Sequence, residues 1–253
     1  MFNPLDHPVL VLVLTLPTLW ISAIIGASFR KGQQDLEYEG HDDWTLLLGA
    51  SLTMLGLIIG FTFSMAVSRY DQRKNLEEEE ANAIGTEYIR AGLLPAADAA
   101  RVQTSLKRYL SQRILIYYPS AASEAHQIDT QTAKLQSEMW SAVATPATAQ
   151  PTPVAALILS GMNDVLNSQG YTRAAWRNRI PTGAWILVVA ISIFCNLLVG
   201  YSAHSRSIIL FLILPIGLSV ALFLIADIDA PRHGVIRVRP QNLESLAESL
   251  QSQ

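Results

Sequence analysis

Carboxylates are the groups of this chain best suited to chemistry, and they gather at two points. Four successive glutamates, Glu77–Glu80, follow one long apolar segment, and Asp227 and Asp229 follow another. Arranged in rings around an axis, such oxygens could concentrate cations or bind a divalent ion. The alternative is structural: a solvated helix face for the glutamates, and for the aspartates a helix-end clasp with Arg69 and Arg73.

Catalytic signatures are missing from the sequence. It contains no G-x-S-x-G, H-E-x-x-H, G-x-G-x-x-G or Walker A pattern, and its five histidines are scattered. Its one cysteine, Cys195, has no partner for an intrachain disulfide or a cysteine metal site. We therefore expect no enzymatic activity, no cofactor and no resident metal. The net charge of −3 gives no reason to expect nucleic-acid binding.

Four stretches without any charged residue must position these groups. A helix needs about 20 apolar residues to cross a bilayer core of about 30 Å. Such a segment is helical in lipid, because its backbone must satisfy its own hydrogen bonds there. An apolar share of 50% and a charged share of 15% exclude an ordinary soluble enzyme, a secreted disulfide scaffold and a disordered protein. We predict an all-α integral membrane protein with spans one to four at 9–29, 44–68, 180–201 and 207–226.

The spans divide the chain into two transmembrane hairpins, 1–68 and 180–226, around a helical domain at 69–179, with a tail at 227–253. Apolar spacings of three and four predict helices in that domain and in the tail. The predicted helices are Arg69–Ile89, Ala97–Tyr118, Ser123–Val143, Thr152–Tyr171 and Gln241–Gln253, with a proline-rich loop at Thr145–Pro153.

Basic residues near the span ends predict the orientation, because they favour the cytoplasmic side. The side of the termini and the middle domain has nine of them, and the other side has three. The two sets are Arg69, Arg73, Lys74, Arg173, Arg177, Arg179, Arg232, Arg237 and Arg239 against Arg30, Lys31 and Arg206. We expect a multi-pass protein of the inner (plasma) membrane with both termini in the cytoplasm.

Span two has a stripe of small residues at helical spacing. The small residues of the stripe are Gly49, Gly56, Gly60, Ser64 and Ser68. The bulky apolar residues that flank it are Phe61, Phe63 and Met65. One interpretation is close helix packing through G-x-x-x-G. The other is a pore-facing surface with an apolar constriction that gates by dewetting. The two overlap, because a packed oligomer can also place span two at its axis.

These segments resemble a known family. Two blocks of the sequence resemble the bestrophin-like family of bacterial membrane proteins. The first runs from Gly60–Ser64 into Arg69–Arg73 and then 75–86, and the second consists of 227–232 and 234–238. The family is named for its similarity to bestrophins, which are pentameric anion channels with four membrane helices and a helical cytosolic body per subunit. The resemblance implies a symmetric homo-oligomer, a pentamer by analogy, with Ile58–Met65 in the place of the hydrophobic neck of the second span.

The predicted function is an oligomeric ion channel in the lipid bilayer, with span two lining the axis. The resemblance implies passage of inorganic anions, whereas acidic outer loops and the glutamate run favour cations if they face the path. The alternative is a membrane-anchored scaffold or sensor whose cytoplasmic helical domain binds a partner protein.

Overall fold

The computed structural model describes residues 5, 7–31, 41–118, 122–203, 208–232 and 234–252, and these form helices and no strand. The helices are α1 (Pro8–Lys31), α2 (His41–Ala91), α3 (Ala96–Leu115), α4 (Ala122–Ala149), α5 (Pro153–Arg177), α6 (Thr182–Ser202), α7 (Ile208–Asp229) and α8 (Gln241–Gln251). Among the described residues, four segments contain an apolar stretch long enough to cross a membrane: Pro8–Phe29, Leu46–Ala91, Pro153–Ser202 and Phe211–Asp229.

The chain forms two compact units. The span unit comprises residues 1–70 and 179–237, and the bundle unit comprises 71–178 and 238–253. Helix α2 contributes residues to both, because its 51 residues continue without a break from the apolar segment into the glutamate run. The predicted continuation of span two into a polar helix is therefore present.

In the span unit, α1 packs against both α6 and α7. Its contact with α6 depends on two glycines, because a Cβ at Gly26 or Gly200 would collide with a backbone carbonyl of the other helix, Leu197 or Ala23 respectively. Trp44, near the start of α2, and Tyr201, near the end of α6, contact each other with ring centroids 4.8 Å apart.

In the bundle unit, α4 packs against α3 and α5, and α8 packs against α3. The buried side of α3 includes the predicted apolar positions Val102, Leu106, Tyr109 and Leu110. Thr152 caps the N-terminus of α5, because its hydroxyl accepts a hydrogen bond from the backbone N–H of Ala155 at 3.1 Å. Pro153 occupies the first turn, where its missing N–H costs nothing.

One predicted loop, Thr145–Pro153, is shorter than expected, because only residues 150–152 lie outside the helices. Residues 145–149 belong to α4, which continues through Pro146 to Ala149. A proline inside a helix removes one hydrogen bond. The last turn nevertheless buries Ala147 and closes with a hydrogen bond from the N–H of Gln150 to the carbonyl of Pro146. The acidic residues predicted for the first outer loop, and Arg206 in the second, lie outside the residues whose side chains are described.

Candidate functional site

One face of α2 packs within the span unit. Leu55, Thr62 and Ala66 are buried, and Leu52 and Ile59 lie against the same clusters of apolar residues. These five positions repeat every three or four residues, which puts them on one side of the helix. Their neighbours in the two clusters include Leu19 of α1 and Val188 of α6.

The opposite face of α2 has no neighbour among the residues that the structure describes. A Cβ added at Gly49, Gly56 or Gly60 would meet no atom within 4 Å, and Phe61 is 70% exposed. Only 11% of the apolar segment of α2 is buried, against 28–44% for the other three candidate spans. The small-residue stripe therefore does not serve packing inside the protomer among the residues described.

The two phenylalanines of span two differ in placement. Phe61 follows Leu57 by four residues and precedes Ser64 by three, so it shares the open face with these two exposed residues. Phe63 is 41% exposed and is flanked at helical spacing by Ile59 and Ala66, which both pack inward. Met65 and Ser68 are exposed as well. Phe61 is the phenylalanine that projects farthest from the packed face.

The glutamate run of α2 divides by side of the helix. Glu77 and Glu80 are 1% and 0% exposed, whereas Glu78 and Glu79 are exposed. In the bundle unit the inward stripe of α2 includes four ionisable residues beside three apolar ones. The buried positions are Arg73, Glu77, Glu80, Ala81, Ile84, Glu87 and Ala91. Burial of charge is costly unless each oxygen finds a donor.

Glu77 obtains its donors from α8. Its Oε1 accepts hydrogen bonds from the backbone N–H groups of Asn242 and Leu243 at 3.0 and 2.9 Å, and its Oε2 accepts one from Nδ2 of Asn242 at 2.7 Å. A helix N-terminus has free N–H groups and a partial positive charge, which suits a carboxylate. Glu77 thus caps the C-terminal helix from a position 165 residues earlier in the chain.

Glu80 forms a buried ion pair with Arg113 of α3. Nε of Arg113 donates to Oε1, Nη2 donates to Oε2 at 3.2 Å, and the hydroxyl of Thr172 donates to Oε2 at 3.0 Å. Burial, with the negative charge of Glu80 nearby, raises the pKa of Tyr109 and of Tyr117. Both phenols therefore stay protonated beside the pair at physiological pH.

The two aspartates at the end of α7 bind backbone amides. Asp227 accepts hydrogen bonds from the N–H groups of Val235 and Ile236, both at 2.7 Å, and Asp229 accepts one from the N–H of Ile180 at 3.2 Å. Gly234 makes this turn possible, because a Cβ there would strike the carbonyl oxygen of Asp227. Asp227 therefore holds the turn that follows α7, and Asp229 links the end of α7 to the residues before α6. The pairing of these carboxylates with Arg69 and Arg73 stays a prediction.

Three participants were not singled out from the sequence: Arg113, Thr172 and Glu87. Arg113 and Thr172 lie 33 and 92 residues from Glu80, and no local pattern links them to it. The spacing of Glu87, seven residues after Glu80 and ten after Glu77, was the available signal that it shares their face. Among the described residues, no group of three or more His, Cys, Asp or Glu side chains could hold a metal ion.

Residues 14–243 match the Bestrophin-like domain. The chain belongs to the bestrophin-like family. No curated protein matches it. A crystal structure of a bacterial bestrophin homologue from Klebsiella pneumoniae carrying a point mutation is similar with a TM-score of 0.69 and 13% identity, over 97% of this chain and 98% of that one.

A second structure of that Klebsiella pneumoniae homologue, phased with zinc, gives a TM-score of 0.66 and 14% identity over 96% of this chain and 97% of the other. At such low identity the likeness concerns the fold. It extends over both units of this bestrophin-like protein and not over the membrane helices alone. The match of residues 14–243 to the Bestrophin-like domain confirms the family expected from the sequence resemblance.

Proposed function

We propose that this bestrophin-like protein is a homo-oligomeric ion channel, with the open face of α2 lining the conduction axis and Phe61 forming its apolar constriction. The observation that carries the proposal is that this face has no neighbour in the described part of the chain: a Cβ added at Gly56 or Gly60 would meet no atom within 4 Å, and Phe61 is exposed. Small residues on a pore-lining helix leave the path wide, and a bulky apolar ring one turn away narrows it.

Family membership supports the same function, because bestrophins conduct ions as pentamers with the second span at the axis. Phe63, Met65, Ser64 and Ser68 would line or border the path, and the exposed Glu78 and Glu79 would lie at its inner end. These carboxylates favour cations, whereas the family relation favours anions. The buried Glu77 and Glu80 are engaged in hydrogen bonds, and we assign them to the structure of the bundle unit.

Planar bilayers test this function. Purified protein should pass current, and Phe61→Ala should increase the unitary conductance, because the constriction loses its bulkiest group. Phe194→Ala is the matched control: Phe194 is also exposed, at 47%, but lies on α6. The reversal potential in asymmetric NaCl decides between cations and anions. No current in any salt, with a monomeric mass in mild detergent, would contradict the proposal.

We also propose an inner-membrane location with both termini in the cytoplasm, supported by the asymmetry of basic residues at the span ends. A reporter that is active only in the cytoplasm, fused after Gln253, should be active. A second reporter inserted at Gln34, within the loop between the first two spans, should be inactive. The reverse pattern would overturn the orientation.

A further inference from the structure

Glu87 has a setting unlike that of the other buried glutamates. Its side chain is 0% exposed, and neither carboxylate oxygen has a hydrogen-bond partner among the described residues. Glu77 and Glu80, on the same face of α2, accept hydrogen bonds at both oxygens. An ionised carboxylate without donors is costly in such a place, whereas a protonated carboxyl is tolerated far better.

Helix α5 covers this carboxyl at Gly161. A Cβ at that position would collide with Oε2 of Glu87 and would come within 2.6 Å of Nη1 of Arg90. Gly161 itself is buried. The absence of a side chain at this point therefore lets the backbone of α5 lie directly against the two α2 side chains.

Two charged groups act on Glu87 from the helices around it. Arg90 lies one turn farther along α2 and forms no ion pair with Glu87 within 4.0 Å among the residues described, whereas Asp164, which has the same charge as an ionised Glu87, lies on α5. Burial, opposed by Arg90 and reinforced by Asp164, raises the pKa of Glu87 to about 8. The residue lies about 28 Å along the helix beyond Ser68, the last residue of predicted span two, so it is outside the membrane segment.

We propose that Glu87 is a proton-binding site that controls how tightly α2 packs against α5 in the bundle unit. With the proton bound, the neutral carboxyl fits under Gly161. Without it, an unpartnered charge is buried there, and the contact opens to admit water. The site goes beyond the proposed channel function and does not depend on it.

The direction of the pH effect follows from linkage. The packed state holds the proton up to about pH 8, whereas an exposed glutamate releases it near pH 4.5. Between these values the open state binds fewer protons than the packed state, so rising pH favours opening. The opening equilibrium constant should increase by up to about tenfold per pH unit in this window, and it should level off above pH 8.

Hydrogen–deuterium exchange of the full chain in detergent tests this, with protection factors of the α5 amides at 155–170 measured from pH 5 to 9. Wild-type protection should fall with pH and level off near pH 8. Glu87→Gln, which keeps a neutral side chain of the same shape, should remove the fall. Glu124→Gln, at an exposed position of α4, should keep the wild-type profile.

Asp164→Asn, a substitution at an exposed position of α5, provides a second test. Removing this carboxylate should move the plateau of the wild-type profile to lower pH, because one of the groups that raise the pKa of Glu87 is gone. A pH dependence that persists unchanged in Glu87→Gln, or a wild-type profile that is flat from pH 5 to 9, would overturn the proposal.

Discussion

At the scale of single residues, the pair of Glu80 and Arg113 shows the consequence of burying charge in the bundle unit. Side-chain exposures of 0% and 1% leave neither partner any access to water. Removing one member of such a pair strands the other, which typically costs about 3–5 kcal/mol, whereas replacing both by neutral groups of similar size is much less harmful.

We expect Arg113→Met to lower the thermal unfolding temperature of the detergent-solubilised protein clearly, because it leaves Glu80 ionised and without its main donors. Arg108→Met is the matched control. Arg108 pairs with Glu138 at 3.4 Å, but both side chains are partly exposed at 55% and 36%, so its loss should cost at most about 1 kcal/mol. The double variant Glu80→Gln with Arg113→Met should recover part of the loss. Equal effects of the two single variants would contradict the argument.

The sequence located these glutamates but could not assign their roles. Four successive residues of a helix point in four directions, so a run of identical side chains contains no information about which of them face inward. The inward set is selected by α3, α5 and α8, whose contributions come from Arg113, Thr172 and Asn242. Such long-range partners have no local signal in a single sequence.

At the scale of elements, the close contact of α1 and α6 makes a sharp prediction. Gly200→Ala should destabilise the span unit by about 1–3 kcal/mol, because its Cβ would overlap the backbone carbonyl of Ala23, which cannot move aside as a flexible side chain can. The melting temperature in detergent should fall. Gly183→Ala, in the first turn of the same helix with no atom within 4 Å of its Cβ, should leave it unchanged. No difference between the two variants would show that α1 and α6 do not meet as described.

Element prediction succeeded where the hydropathy or the helical period was strong. The apolar lengths located α1, the first part of α2, α6 and α7, and the spacing of Val102, Leu106 and Leu110 located α3. It failed at Pro146, where the buried last turn of α4 outweighs the local penalty of a proline. The glycines that actually bring helices together, Gly26 and Gly200, lie in spans one and three and have no G-x-x-x-G pattern.

At the scale of the whole molecule, the number of spans is predictable from length and hydropathy, whereas the assembly is not. An apolar residue that faces lipid and one that faces a second copy look alike in the sequence, because both environments exclude water. Phe61 and Leu57 of α2 are exposed in the protomer, and so is Ile186 of α6. Only the position of each helix in the assembly distinguishes them.

Cross-linking between copies can make that distinction, because the native chain has a single cysteine and Cys195 is buried. Ser64→Cys places a thiol on the open face of α2, and Ser28→Cys places one at an exposed position of α1. If α2 surrounds the axis of a homo-oligomer, a short bifunctional maleimide applied in membranes should give dimers with Ser64→Cys, since each subunit has one reactive thiol close to that of its neighbour. Ser28→Cys and the wild type should stay monomeric on denaturing gels.

The difference in cross-linking between Ser64→Cys and Ser28→Cys, rather than the presence of cross-links, decides whether α2 lies at the axis. Random collisions in the bilayer would link both variants to a similar extent, since both thiols are exposed. Preferential linkage of Ser28→Cys would place α1 at the contact between copies and α2 toward lipid. In that arrangement the open face of α2 could not line a path, so the axial position of this helix would be excluded even if the protein proved to be oligomeric.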